Sequence, residues 1–223
     1  MGFRRAAVNL VLKGIMNILC KIDSREYFRA LSNNKPMILM FNHINFLEVI
    51  ILITFGYPLY VTGLAKSETW KNPFFAFLFN TYKAVPINRA GAFGESFKKV
   101  CDTIQGGCFV CVAPEGTRSG DGVLAKGKAG IVQLALGGNI PVLPVVHYGG
   151  EHIWKNIRSL KRTPFKIKTG RPFRINFNGR PGHREREEIL KEMMIQMARL
   201  LPEQMRGIYS KEVDSVCKYL DVI

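Results

Sequence analysis

Phe41-Asn42-His43-Ile44-Asn45-Phe46-Leu47-Glu48 lies between two apolar runs. Before it, Pro36-Met37-Ile38-Leu39-Met40-Phe41 reads as a buried strand. After it, Val49 to Phe55 reads as a helix. An imidazole therefore stands at a strand end, with a carboxylate five positions on. This is the raw material of a base-and-orienter pair. The carboxylate accepts a proton from one ring nitrogen and leaves the other free as a base. On an ideal helix, five residues turn two side chains about 140° apart. His43 and Glu48 can meet only if His43 sits in the loop before the helix. The plainer reading of the same residues is a polar loop capped by Asn42 or Asn45, with His43 satisfied by the backbone.

The rest of the chain bounds the choice. Its 223 residues suffice for one good core. Lys and Arg number 32 against 17 Asp and Glu, a formal charge of +15. That balance calls for an anionic partner: a phosphate-bearing substrate, an acidic membrane surface or nucleic acid. No recognised nucleic-acid module accompanies the charge, so nucleic acid is not expected as the partner. Five scattered cysteines, an odd number, make no disulfide framework and point to a reducing compartment. Cys108-Phe109-Val110-Cys111 has the spacing of a redox or zinc motif. It falls in a strand-like run, where residues three apart face opposite sides, so no metal site is expected. No apolar run is long and clean enough to span a bilayer. The start lacks a cleavage site of the A-x-A kind, and Ala6 breaks the myristoylation pattern of Met1-Gly2.

Residues 3 to 22 read as one amphipathic helix. Val8, Val11, Leu12, Ile15, Leu19 and Ile22 form one face, and Arg5, Asn9, Lys13, Asn17 and Lys21 the other. This is the pattern of a helix lying in a membrane interface, and equally of one docked on the protein's own core. Asn72-Pro73 opens a helix carrying Phe74, Phe75, Phe77, Leu78 and Phe79, which suit a core, an acyl-chain slot or lipid. From Lys155 to Arg174 there are eight basic residues and no acid. Phe165 to Thr169 and Pro172 to Phe177 alternate as half-exposed strands, and their uncompensated charge suits an anionic surface.

Further short strands are expected at Leu59–Thr62, Ala84–Ile87, Cys108–Ala113 and Ile140–Val146, with Cys108–Ala113 at the centre of the sheet. The two prolines of the last, Pro141 and Pro144, argue for an edge or bulged position. Helices are expected at 95–105, 129–136 and 184–201. The Cys108 strand runs into Pro114-Glu115-Gly116-Thr117-Arg118-Ser119. Gly116 permits a tight turn. Thr117, Ser119 and the turn's N–H groups can donate to phosphate oxygens, and Arg118 offers a planar fork. Glu115 suits bracing an arginine or the turn. The same six residues also suit an ordinary surface turn.

Strands alternate with helices, and each polar cluster ends a strand, where open α/β sheets hold their ligands. The fold class read from this is α/β: one open, largely parallel sheet flanked by helices. The expected organisation is an N-terminal amphipathic membrane-interface helix over 1–30, one domain over 31–210 and a tail over 211–223.

Taken together, four blocks in order resemble the glycerolipid acyltransferase family, the lysophosphatidic acid acyltransferases. Asn42-His43 with Glu48 is similar to its Asn-His-x4-Asp block, with Glu in place of Asp. Val85-Pro86-Ile87-Asn88-Arg89 resembles the second, and Pro114 to Ser119 matches the third unchanged. Ile140-Pro141-Val142-Leu143-Pro144-Val145 resembles the fourth, and Leu200 through Tyr209 resembles the ending of bacterial members. Ala113 replaces a bulky aromatic usual before the third block.

The resemblance implies transfer of a fatty acyl group from acyl-CoA or acyl carrier protein to the free hydroxyl of a lysophospholipid, with 1-acylglycerol-3-phosphate giving phosphatidic acid as the default. His43 would be the base and Glu48 its orienter. Lys66, Arg89 and Arg118 would converge on the acceptor's phosphate, and N–H groups near Gly116 would face the developing oxyanion. No cofactor or metal is implied. The expected location is the cytoplasmic face of an anionic membrane. Because Glu48 replaces Asp, a weak or inactive phospholipid-binding member of the fold stands as the alternative, as does an acyltransferase for another lysolipid, such as an ornithine lipid.

Overall fold

The computed structural model of the chain describes residues 2–87 and 93–223. Helix α1 (Gly2–Leu19) leads into β1 (Cys20–Asp23) and α2 (Arg25–Ser32). Strand β2 (Ile38–Phe41) and helix α3 (Leu47–Phe55) flank the His43 stretch. Next come β3 (Val61–Lys66), a 3-10 turn at Ser67–Lys71, α4 (Pro73–Thr81) and β4 (Val85–Ile87). They are followed by α5 (Phe93–Gln105), β5 (Phe109–Val112), α6 (Gly130–Gly137) and β6 (Val142–Tyr148). The chain ends with α7 (Ile153–Arg158), β7 (Thr163–Thr169), β8 (Phe173–Ile175), α8 (His183–Ala198) and β9 (Leu220–Val222).

The strands form one mixed sheet in the order β1-β7-β6-β2-β5-β3-β4, with β8 paired to β6 and β9. From β6 to β4 every neighbouring pair is parallel, so five strands end on the same edge. β7 and β8 run antiparallel to β6. This is the α/β architecture that the alternating pattern implied.

Period-two alternation splits each central strand between two cores. On β2, Ile38 and Met40 face a layer built with α6 and α8, whereas Leu39 and Phe41 face one built with α1, α2 and α3. Strand β5 divides the same way, with Val110 and Val112 on one side and Phe109 and Cys111 on the other. Buried on both faces, β2 and β5 read as unbroken apolar runs. β5 is interior, one place from the middle strand β2 of the main path.

Two expectations are corrected here. Helix α1 stops at Leu19, and Cys20–Asp23 instead forms β1, parallel to β7. Of the two settings expected for it, docking on the core by the apolar face is not the one observed. Arg5, Asn9 and Met16 are buried, while Phe3, Leu10, Val11, Ile15 and Ile18 are exposed. The Arg5 guanidinium donates to the Pro58 and Leu59 carbonyls and stacks 3.9 Å from the centre of the Tyr60 ring. A buried cation with two carbonyl acceptors and a π face is a satisfied one, which outranks the simple rule that apolar residues go inside.

Strand β6 is interior, between β2 and β7, despite its proline. Pro144 stands where the outer neighbour changes: β8 pairs at Val142, and β7 from Val145 onward. The Pro144 carbonyl accepts from Gly170 N at 2.9 Å across that break. In a strand, N–H and C=O of one residue point the same way, so the missing donor costs no ladder bond to β2.

Of the three environments that suit the phenylalanines of α4, the core is not the one observed. Asn72 caps it, accepting from Phe74 N and Phe75 N, with Pro73 in the first turn. Yet Phe74, Phe75 and Phe77 are exposed. Arg4 of α1 lies 5.8 Å from the centre of the Phe77 ring, so the outward faces of α1 and α4 adjoin. The 211–223 segment contributes β9 to the sheet. Helices α2 and α7 had no counterpart in the sequence reading; Tyr27 and Leu31 of α2 are fully buried, and the Tyr27 hydroxyl donates to Leu52 O at 3.0 Å.

Candidate active site

His43 lies in the loop between β2 and α3, two residues past the strand. Glu48 is the second residue of α3. The loop position lets the two side chains meet, with His43 Nδ1 2.5 Å from Glu48 Oε1. The carboxylate can only accept here, so Nδ1 carries the proton and Nε2 is left as the base. Glu48 is fully buried, whereas the His43 side chain keeps 21% of its surface in solvent.

Glu48 has a second task. Both of its oxygens accept from the Asn45 backbone N–H, at 2.9 and 3.1 Å, while Asn45 Oδ1 accepts from Leu47 N at 2.8 Å. Asn45, just before the N-cap Phe46, and Glu48 in the first turn thus tie the loop to the helix start, in a manner akin to a capping box. One carboxylate therefore starts the helix and holds the imidazole. The longer side chain in place of the family's usual Asp fits this geometry.

The second cluster supports the first from beneath. Glu115 is buried, and Oε1 accepts from His43 N at 2.8 Å while Oε2 accepts from Ala125 N at 2.9 Å. Burial pushes the Glu115 carboxyl above its usual range, against the opposing pull of those two N–H donors. Ser119 N donates to His43 O at 2.8 Å, and Gly120 N to Ile44 O at 3.2 Å. Glu115 therefore braces the turn and the His43 loop, and Ser119 is a backbone anchor whose hydroxyl accepts from Gly122 N at 3.3 Å. Gly116 has φ +68°, the left-handed region that glycine adopts without strain. A Cβ there would also lie 3.0 Å from Lys128 Nζ.

Thr117 and Arg118 are exposed on the same turn. Lys66 is exposed at the end of β3, which ends on the same sheet edge as β2 and β5. Arg89 lies outside the described residues. Among the described residues, no cluster of three or more His, Cys, Asp or Glu side chains is arranged to hold a metal. Cys108 and Cys111 are buried free thiols.

One residue of this neighbourhood escaped the sequence reading. His147, fully buried on β6, is bonded three times to Asn42. The available signal was a lone polar side chain closing the apolar run that starts at Ile140.

Fold and site define an α/β protein with a histidine–carboxylate centre at the carboxyl edge of a parallel sheet. A family model described as Acyltransferase matches residues 20–148. The chain belongs to that family. It is 30% identical to the 1-acyl-sn-glycerol-3-phosphate acyltransferase of Pseudomonas aeruginosa, over 57% of this chain and 51% of that protein. It is 28% identical to the enzyme of that name from Limnanthes douglasii, over 69% of this chain and 54% of that protein. The chain thus spans about half the length of the curated relatives it matches. Among solved structures, the 1-acyl-sn-glycerophosphate acyltransferase PlsC from Thermotoga maritima has the same fold. Its TM-score is 0.60 at 22% identity, covering 85% of this chain and 76% of that one.

Proposed function

We propose that the protein transfers a fatty acyl group from a thioester, on coenzyme A or acyl carrier protein, to the free hydroxyl of a lysophospholipid, with 1-acylglycerol-3-phosphate as the acceptor and phosphatidic acid as the product. The observation that carries this is the 2.5 Å contact between His43 Nδ1 and Glu48. It leaves Nε2 able to take the acceptor's hydroxyl proton as that oxygen attacks the thioester carbonyl. Glu48 balances the imidazolium that forms. Collapse of the tetrahedral intermediate expels the thiolate, which takes the proton from His43. The acceptor supplies the nucleophile, so the chain needs none of its own.

Lys66, Arg118 and Arg89 are the cations assigned to the acceptor's phosphate. The N–H groups around Gly116 and Thr117 are assigned to the oxyanion. Metal and cofactor have no part in this scheme. The outward apolar stripe of α1 and the exposed phenylalanines of α4 support docking on an anionic membrane. Free cysteines support a reducing, cytoplasmic side. Similarity to 1-acyl-sn-glycerol-3-phosphate acyltransferases favours the phosphatidic acid reaction over another lysolipid. The close His43–Glu48 pairing favours turnover over lipid binding alone.

The test is a product assay on liposomes with radiolabelled acyl-CoA or acyl carrier protein and a panel of lysolipids. Labelled phosphatidic acid is the expected product. Exclusive labelling of an acceptor without phosphate would refute the assignment of the three cations.

A further inference from the structure

The ladder between β2 and β6 ends at Phe41 opposite Val145. Beyond it the two strands remain joined by a single residue pair. Asn42 Nδ2 donates to His147 O at 3.0 Å, and His147 N donates to Asn42 Oδ1 at 2.9 Å. His147 Nε2 donates to the Asn42 carbonyl at 2.6 Å. The imidazole is fully buried and stacks on Phe165, with ring centres 5.1 Å apart and planes 8° from parallel. Its Nδ1 has no hydrogen-bond partner. The ring is therefore held in one tautomer, with the proton on Nε2 and its plane set by Phe165.

We propose, on the reading that His43 is the base, that His147 is the positioning residue of that base: its Nε2–H fixes the Asn42 carbonyl and so sets the backbone from which His43 projects. The peptide whose oxygen His147 holds is the one that joins Asn42 to His43. Its nitrogen is the His43 N–H that Glu115 Oε1 accepts. Both ends of one peptide plane are thus pinned by buried side chains from β6 and from the turn after β5, while Glu48 holds the ring itself. A peptide plane fixed on both sides cannot rotate, and because the His43 carbonyl is itself held by Ser119 N–H at 2.8 Å, rotation about the N–Cα bond of His43 is restrained as well, which sets the direction of its Cα–Cβ bond. Burial pushes the His147 imidazole down, which keeps it neutral. A neutral neighbour does not oppose the positive charge that His43 acquires on taking a proton.

Two substitutions separate the donor from the packing. His147→Gln can place an amide N–H near the former Nε2, whereas His147→Met keeps the bulk without a donor. The expected result is a kcat loss of about 10- to 100-fold in His147→Met, with both KM values within about twofold of wild type. His147→Gln should keep kcat within about threefold. The second readout is the low-field proton resonance of His43 Nδ1–H against Glu48, measured without substrate. It should persist in His147→Gln and be lost or shifted in His147→Met. Should His147→Met not fold, His147→Asn, polar but too short to reach Asn42 O, takes its place. Wild-type kcat and resonance in the donor-free variant would overturn the proposal. So would equal losses in both variants, since packing alone would then be at issue. If the wild type transfers no acyl group, the acyltransferase reading fails, and the resonance alone decides whether His147 positions His43.

Discussion

Glu115 Oε1 lies 2.8 Å from the backbone nitrogen of His43. The acid of the second polar cluster is therefore an anchor for the loop that carries the proposed base. Its other oxygen ties down Ala125 at 2.9 Å. This explains how a carboxylate can sit beside an arginine and a phosphate-ready turn without spoiling either: it faces inward and is consumed by backbone donors.

Removing that anchor strands two N–H groups. Glu115→Ala should destabilise the fold by about 2–5 kcal/mol, and Glu115→Gln, which retains one good acceptor, by about 1–3 kcal/mol. Urea unfolding checks both. Glu115→Gln should also lower kcat more than it raises either KM, because it loosens the His43 loop and touches no substrate. An unchanged unfolding midpoint would contradict the anchoring role.

Glu48 carries a helix start and an imidazole on one carboxylate. Glu48→Gln keeps an acceptor but loses the charge that balances the imidazolium, so kcat should fall by about 10²- to 10⁴-fold. Glu48→Asp pulls the carboxylate back by one methylene, so that either Asn45 or His43 loses its partner. A fall in kcat of about 10- to 100-fold is expected. Higher activity in the Asp variant would mean that the longer side chain is a handicap here.

Helix α1 is held by its cation. Arg5→Met should destabilise by about 1.5–3 kcal/mol, because a guanidinium with two carbonyl acceptors is lost. Thermal unfolding reports this. By contrast, Leu10→Ser with Ile18→Ser alters only the outward face. It should leave the melting temperature unchanged and weaken sedimentation with anionic vesicles by at least about tenfold. Equal vesicle binding would remove the membrane role of that stripe.

His147 gives stability a pH dependence with a definite sign. Its folded-state pKa is depressed by burial, from an ordinary value of 6.5. The unfolded chain therefore binds the proton more readily, and the stabilisation is complete above pH 6.5 and lost progressively as pH falls below it. His147→Gln abolishes this contribution. The difference in unfolding free energy between wild type and His147→Gln should be flat from about pH 7.5 to 9 and should shift against the wild type between about pH 6.5 and 5. A difference that does not vary with pH would contradict it.

Much of this arrangement is legible in the amino-acid sequence. The continuous apolar runs ending at Phe41 and Val112 identify strands buried on both faces, and the polar clusters after them fall on one sheet edge because parallel strands end together. Helix geometry makes a loop position of His43 the condition for its meeting Glu48, and that is where it lies. What failed did so where a specific polar contact overruled a pattern. Between the two settings open for α1, the sequence could not choose, because Arg5 is stabilised inside by the Pro58 and Leu59 carbonyls and by Tyr60, information held some 53 residues away. The prolines of this strand suggested an edge or a bulged position, yet the break between β7 and β8 gives Pro144 an interior place. His147 stayed hidden because its partner, Asn42, is 105 residues distant.

The central claim is that His43, held by Glu48, is the base of acyl transfer. The direct measurement is phosphatidic acid formation from lysophosphatidic acid and acyl-CoA on liposomes, for wild type beside His43→Ala, with circular dichroism and vesicle binding on the same preparations. The account predicts product from the wild type and a loss of at least about 10³-fold in the variant, with fold and vesicle binding intact. Activity within about tenfold of wild type in a folded His43→Ala protein would contradict it.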